Sequence, residues 1–265
     1  MSSTDRVTVT YNGPITHVVL SRADKRNALD QAMLEAIADT IEQLSSARNT
    51  RAVVLSGDGE AFCAGLDLQS FAAMLQNPDS MDFMTRSHGD ANLFQYVATG
   101  WRALPMPVIT ALHGVAFGGG FQIMLGADIR VAAPETRFSI MEAKWGLVPD
   151  MGGMALMPAV ARQDIVRRLT YTAEVFDATQ ALDWGFVTEL ADDPVTRALE
   201  LAAQIAARSP DGTRASKRLI SDTWNANRAD TLMAESVAQK SVLGGENQME
   251  AVMANFEKRA PKFKD

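Results

Sequence analysis

Cysteine occurs once in 265 residues, at Cys63, so no disulfide can form within the chain, and a reducing compartment suits it. Histidine occurs three times, and His17, His88 and His113 lack the short spacings of paired metal ligands. No histidine lies near Cys63 in sequence to suggest an activated thiolate. The chain has no G-x-x-x-x-G-K-[ST], no G-x-G-x-x-G following a strand and no G-x-S-x-G, which sets aside a P-loop, a dinucleotide fold and a serine-nucleophile elbow. No apolar run approaches the roughly 18 residues of a membrane span. The opening "MSSTDRVTVTYNG" carries neither an apolar signal core nor an Arg-rich amphipathic stretch, so a soluble, cytoplasmic protein is expected. Positive charge is also in deficit: 25 Lys and Arg against 32 Asp and Glu give −7 and a pI near 5.1. General attraction to nucleic acid or to a membrane surface is therefore not expected, although a local basic patch such as Lys258, Arg259, Lys262 and Lys264 could serve one anionic ligand.

What is present is enough apolar sequence, 47%, for a sizeable core. "VTVTY" (7–11) and "ITHVVLS" (15–21) flank Asn12-Gly13, a dipeptide that suits a tight hairpin turn. Asp30 is placed to cap a helix through Ala47, with Met33, Leu34, Ile37, Ile41 and Leu44 on one stripe. "RAVVLS" (51–56), "VITAL" (108–112) and "DIRVAA" (128–133) read as strands, 119–125 as a helix between the last two, and 187–190 as a final strand. Beyond it the pattern is helical, near 195–208, 211–227, 231–243 and 246–259. The expected organisation is an α/β core over residues 1–195 and a helical region over 196–265. The segment 76–90 is the least patterned. Its neighbours Met74, Leu75, Met81, Phe83 and Met84 could wall an adaptable apolar pocket or simply fill gaps in the core.

Two glycine-bearing loops carry the chemistry. "GDGEAFCAGLDL" (57–68) and "HGVAFGGGF" (113–121) each follow a strand and lead toward a helix. The first N–H groups of a helix lack intrahelical partners and attract negative charge. Ala64 and Gly119 are therefore the expected donors, one from each loop, gripping a carbonyl oxygen as it gains negative charge.

With "SRADKRNAL" (21–29), "AFCAGLDL" (61–68), "HGVAFGGGFQIMLGADIRVA" (113–132), "RFSIMEAKWGLVPDMGG" (137–153) and "FEKRAPKF" (256–263), the chain resembles the crotonase superfamily of enoyl-CoA hydratases and isomerases, almost from end to end. The resemblance implies a ClpP/crotonase-like spiral of ββα units with a C-terminal helical oligomerisation region, and a homotrimer or dimer of trimers. It also implies an acyl-CoA thioester substrate and no separate cofactor, coenzyme A arriving as part of the substrate. The motif positions of the two oxyanion donors fall on Ala64 and Gly119.

Hydratases of that superfamily use two glutamates. The first position here is Gln122, which can hydrogen-bond a water but cannot accept and return its proton. The second, Glu142, is retained, and Asp150 stands eight residues on, an arrangement that resembles the dienoyl-CoA isomerases. The expectation is double-bond isomerisation by Glu142 and Asp150, with Gln122, Trp145, Met74 and Phe83 lining the pocket. Capping by Asp150, and core packing by Trp145, are the plainer readings. Hydration, or a non-catalytic CoA- or RNA-binding role, are the alternatives. The resemblance further implies CoA contacts at Arg22, Lys25, Arg26, Ala64, Asp67, Leu68 and Lys258, the last reaching a phosphate across a subunit boundary.

Overall fold

The computed structural model describes residues 6–77 and 82–265. Asn12-Gly13 turns β1 (Val7–Asn12) into β2 (Ile15–Leu20), antiparallel in register Val7 to Leu20, with Gly13 at φ +58° where a side chain would be strained. Asp30 then caps α1 (Gln31–Ser45) by accepting from the Met33 N–H at 2.8 Å. From there β3 (Ala52–Gly57), β4 (Val108–Leu112), β6 (Ile129–Ala132) and β9 (Glu189–Leu190) add in parallel, giving the order β1-β2-β3-β4-β6-β9. A second sheet stacks β5 (Val115–Phe117), β7 (Arg137–Ser139) and β8 (Phe176–Asp177).

Alternation along the strands builds two cores. Val53, Leu55, Val108 and Leu112 face α1 and two further helices, α3 (Leu93–Ala103) and α4 (Gly119–Leu125), in the larger one. Ala52, Val54, Ile109, Ala111 and Val131 face the other way, onto Ala198 and Ala202 of α8 (Pro194–Ala206). The two alanines lie one turn apart, and their small side chains let α8 lie close on the sheet. A boundary at 195/196 therefore cuts a helix that forms a layer of the core. The segment between α4 and α8 carries α5 (Gly153–Leu156), α6 (Gln163–Thr172) and α7 (Ala178–Asp183). A stretch of α2 (Leu68–Gln76) precedes α3.

Past α8 the chain forms α9 (Pro210–Thr223), α10 (Arg228–Val242) and α11 (Glu246–Phe256). Lys217 ties α9 to the core. Its ammonium group pairs with Asp128 at 2.8 Å and donates to Trp101 O and Met106 O, carbonyls at the end of α3 and just beyond it. By contrast α10 buries no side chain, and Trp224, Leu232, Met233, Val237, Met253 and Phe256 stand exposed across this region. An open groove of about 560 Å³ lies among these helices, lined by Val242, Ala251, Val252 and Phe256. No helix among the described residues is long and apolar enough to cross a membrane.

Candidate active site

The parallel strands point their C-terminal ends at one cluster of loops, residues 21–29, 57–68 and 113–119. Asn27 fastens the first to the second. Its amide donates to the carbonyls of Asp58, Ala61 and Phe62, and its Oδ1 accepts from the Arg22 N–H. The second and third join through a bridge between Cys63 and Ala116. Cys63 is fully buried and burial pushes its thiol up to about 12, so it packs here and does not act as a nucleophile.

Ala64 is not the donor that the sequence suggested. Its N–H already donates to Arg26 O at 2.9 Å. The loop does not run straight into a helix: it continues extended through a bridge between Leu29 and Leu66, and α2 starts only at Leu68. Leu29 donates to Gly65 O and accepts from the Asp67 N–H. In a parallel bridge that pattern turns the N–H of the middle residue, Leu66, to the opposite side. Among the described residues nothing accepts from it. The neighbouring Gly65, at φ +91°, lies so close to the third loop that a Cβ there would sit 2.7 Å from Phe117 O and 3.7 Å from the Gly119 N. The Gly119 N–H opens α4 behind Gly118, whose φ is +50°, and it likewise has no partner among the described residues. Leu66 and Gly119 thus each bring to this gap an amide that is unpaired among the described residues. The signal for Leu66 was in the sequence: a buried acid, Asp67, that caps α2 through the N–H groups of Gln69 and Ser70 fixes where the helix starts.

The acids stand where α4, a 3₁₀ turn at Glu142–Trp145 and α5 converge. Gln122 is fully buried, and both ends of its amide are engaged. Its Nε2 donates to Glu142 Oε1 at 2.6 Å, and its Oε1 accepts from the Met151 and Gly153 N–H groups at 3.0 and 2.9 Å. Glu142 is 9% exposed, its Oε1 faces Gly118, and its Oε2 is buried with no hydrogen-bond partner. Burial raises its pKa, and the charge of Asp150 raises it further, against lowering by Gln122 and by its own backbone N–H. Asp150 is exposed at its outer side, yet the protein around its carboxyl raises its pKa too. It does not cap α5: the cap position is Gly152, at φ +88°, and the Gln122 carbonyl satisfies the amides there.

The remaining expected residues divide. Arg22 is spent internally, on Asp67 at 2.9 Å, Asp30 at 3.5 Å and Ala28 O, so it is not free for a phosphate, and Asp67 is committed to Arg22 and to the start of α2. Lys25 and Arg26 are exposed on the loop that holds Ala64, and among the described residues neither forms an ion pair. Leu68 is exposed at the start of α2. Lys258 is exposed after α11, and the tail beyond it is anchored at the far end of β3, where Arg51 pairs with Asp265 and donates to Phe263 O. Trp145 is 48% exposed beneath Lys144, which rules out core packing, and Leu147, Val148 and Met154, close to it and to Asp150 in sequence, are exposed as well. Phe83 is half-buried against the core, its ring 5.2 Å from that of Phe94. The side chain of Met74, and Met81, lie outside the described residues. No cluster of three or more His, Cys, Asp or Glu placed to hold a metal occurs among the described residues.

Comparison with known proteins agrees with this architecture. The model of the enoyl-CoA hydratase/isomerase family matches residues 10–265. The mouse mitochondrial Delta(3,5)-Delta(2,4)-dienoyl-CoA isomerase is 31% identical, over 94% of this chain and 78% of that protein. The carnitinyl-CoA dehydratase of Salmonella typhi is 34% identical over 97% of each. A crystal structure of an enoyl-CoA hydratase from Bacillus anthracis superposes with a TM-score of 0.88 at 28% identity, over 98% of this chain and 99% of that one. The chain belongs to the crotonase superfamily, as a member of its enoyl-CoA hydratase/isomerase family.

Proposed function

We propose that this protein is an acyl-CoA double-bond isomerase of the enoyl- or dienoyl-CoA type. The observation that carries the reading is the state of Gln122. Its amide is committed to Glu142, Met151 and Gly153, and it has no proton to exchange, so the paired carboxylates that hydration uses are reduced to Glu142 in this recess. The thioester oxygen rests on the N–H groups of Leu66 and Gly119, which take up the charge of the enolate. A single donor of this kind is worth about 3 kcal/mol. Glu142 Oε2, desolvated and unpartnered, removes a proton from the acyl chain, and Asp150 returns one at another carbon. Such a base contributes about 10² to 10⁴ in rate. Lys25 and Arg26 supply positive charge for the phosphates of CoA, and Trp145, Leu147 and Val148 offer apolar surface to the acyl chain.

Hydration is the second reading, favoured by relatives named as a hydratase and a dehydratase. Incubation of trans-3-hexenoyl-CoA, a 3,5-dienoyl-CoA and trans-2-hexenoyl-CoA with the protein in ¹⁸O-labelled water separates the two. Isomers of unchanged mass are expected from the first two; a labelled 3-hydroxyacyl-CoA as the main product would replace this reading with hydration. Glu142→Gln is expected to lower isomerisation by at least 10² while the protein still binds the thioester.

We also read the exposed apolar side chains of α9–α11 as a subunit face, in a homotrimer or a dimer of trimers, since a lone chain would leave them in water.

A further inference from the structure

We infer that Gln122 is a positioning residue that decides which oxygen of Glu142 carries the proton: it reserves Oε1 as a permanent acceptor and leaves Oε2 as the one oxygen that takes and releases it. The inference rests on the proposal that Glu142 transfers protons, and it adds the atom and the device that selects it.

The orientation of the Gln122 amide is set by its surroundings. Two backbone N–H groups, of Met151 and Gly153, converge on one end of it at 3.0 and 2.9 Å, and only a carbonyl can accept both. The NH₂ group is therefore turned to Glu142 Oε1, at 2.6 Å. The glycines make this seat possible. A Cβ on Gly153 would lie 2.7 Å from Gln122 Oε1, and Gly152 holds φ +88°. A donor aimed at Oε1 favours a carbonyl-like oxygen there, so in protonated Glu142 the hydroxyl is Oε2, and in the ionised form Oε2 is the oxygen without a partner. Both protonation states present the same atom to the substrate, which spares the carboxyl a rotation during turnover. Among the described residues Asp150 is the one titratable group whose charge acts on Glu142; Gln122 is neutral, as are Gly118 and Met141 beside it.

A glutamate at 122 would keep the acceptor for Met151 and Gly153 but would place an oxygen 2.6 Å from Glu142 Oε1, where the two must share a proton. The proton would then be held on the wrong oxygen. The residue that removes the second carboxylate is in this way also the residue that aims the first.

Infrared difference spectra between acidic and neutral pH test this without any substrate. The carboxylic C=O band of Glu142 is assigned by its loss in Glu142→Gln. If Oε1 is the carbonyl oxygen, removing its donor in Gln122→Met moves that band to higher wavenumber; if the proton sits on Oε1, the carbonyl is already free and the band stays. A shift supports the inference and an unmoved band overturns it. Should Gln122→Met not fold, Gln122→Leu removes the same donor and gives the same two outcomes. The pH profile adds a second readout with trans-3-hexenoyl-CoA. The acidic limb of kcat/KM should move up by about one pH unit in Gln122→Met, since the ionised base loses a hydrogen bond, and by more in Gln122→Glu. An unmoved limb in both variants also overturns it. Full turnover by Glu142→Gln would instead remove the proposed role of Glu142, whatever the infrared band does.

Discussion

The recess around Gln122 and the three C-terminal helices are opposite kinds of structure. In the recess most side-chain polar groups are satisfied within the chain: Gln122 makes three hydrogen bonds and, in the adjoining loops, Asn27 makes four, while Glu142 Oε2 is the buried side-chain atom there, among the described residues, without a partner. On α10 nothing is buried, and Met233 and Val237 are 65% and 61% exposed. An unmet buried polar atom calls for an explanation, and for the Glu142 oxygen the proton transfer proposed above supplies one. An apolar face left in water marks a missing surface instead. On the function proposed above, one chain holds the reacting carboxyl in place by itself, while another copy would cover its periphery.

The largest expected effect breaks the first half of that comparison. In Gly65→Ala the new Cβ would meet Phe117 O at 2.7 Å, in a backbone at φ +91°, so the chain between Gly65 and Leu66 must shift away from Gly119. A displaced oxyanion donor should cost about 10² to 10³ in kcat, with KM for the isomerised thioester little changed. Equal loss of thioester binding and of kcat would mean that Leu66 N–H is not a transition-state donor. The second half is tested by Met233→Glu with Val237→Glu, one turn apart on α10. Sedimentation velocity should show the wild type as a trimer or hexamer and the double variant as a monomer, with intrachain stability changed by only about 0.5 kcal/mol per site. A variant that sediments like the wild type would move the subunit contact elsewhere.

Much of the scaffold was legible because the strands alternate and the helix starts carry their own signals. Val53, Val54 and Leu55 declare a strand buried on both faces, Asn12-Gly13 its hairpin neighbour, and Asp30 the start of α1. The small sheet of β5, β7 and β8 was not, because two- and three-residue strands show no period. Glu142 and Asp150 were read as a pair through the resemblance to the dienoyl-CoA isomerases, and the charge of Asp150 raises the pKa of Glu142. Ala64 was misread for a specific reason: a glycine loop after a strand was assumed to enter a helix at once, whereas the bridge of Leu29 to Leu66 delays it to Leu68. Arg22 was placed near coenzyme A by the resemblance, which says nothing of partners within this chain; Asp67, 45 positions away, pairs with it. What Gln122 does was hidden entirely, since two of its contacts are backbone N–H groups of Met151 and Gly153, which residue identity does not encode.

The smallest effect sharpens the comparison, since it asks what holding an acid in the recess costs the fold. The pKa of Glu142 is raised in the folded protein, mainly by burial, above the value of about 4.3 expected for an unfolded chain. Between those two values the folded state keeps a proton that the unfolded state has released. Stability from this group is therefore full below about pH 4.3 and is lost as pH rises through the folded value. Each tenfold difference in proton affinity amounts to about 1.4 kcal/mol. Glu142→Gln does not titrate. In urea denaturation its stability relative to wild type should rise with pH across that window and then level off, while pairs of substitutions at Met233 and Val237, exposed and uncharged, show no such pH dependence until a carboxylate is introduced. A Glu142→Gln difference that is flat from pH 4 to 8 would mean that the recess solvates the carboxylate as well as water does, and the open Oε2 would then lose its claim as the reacting atom.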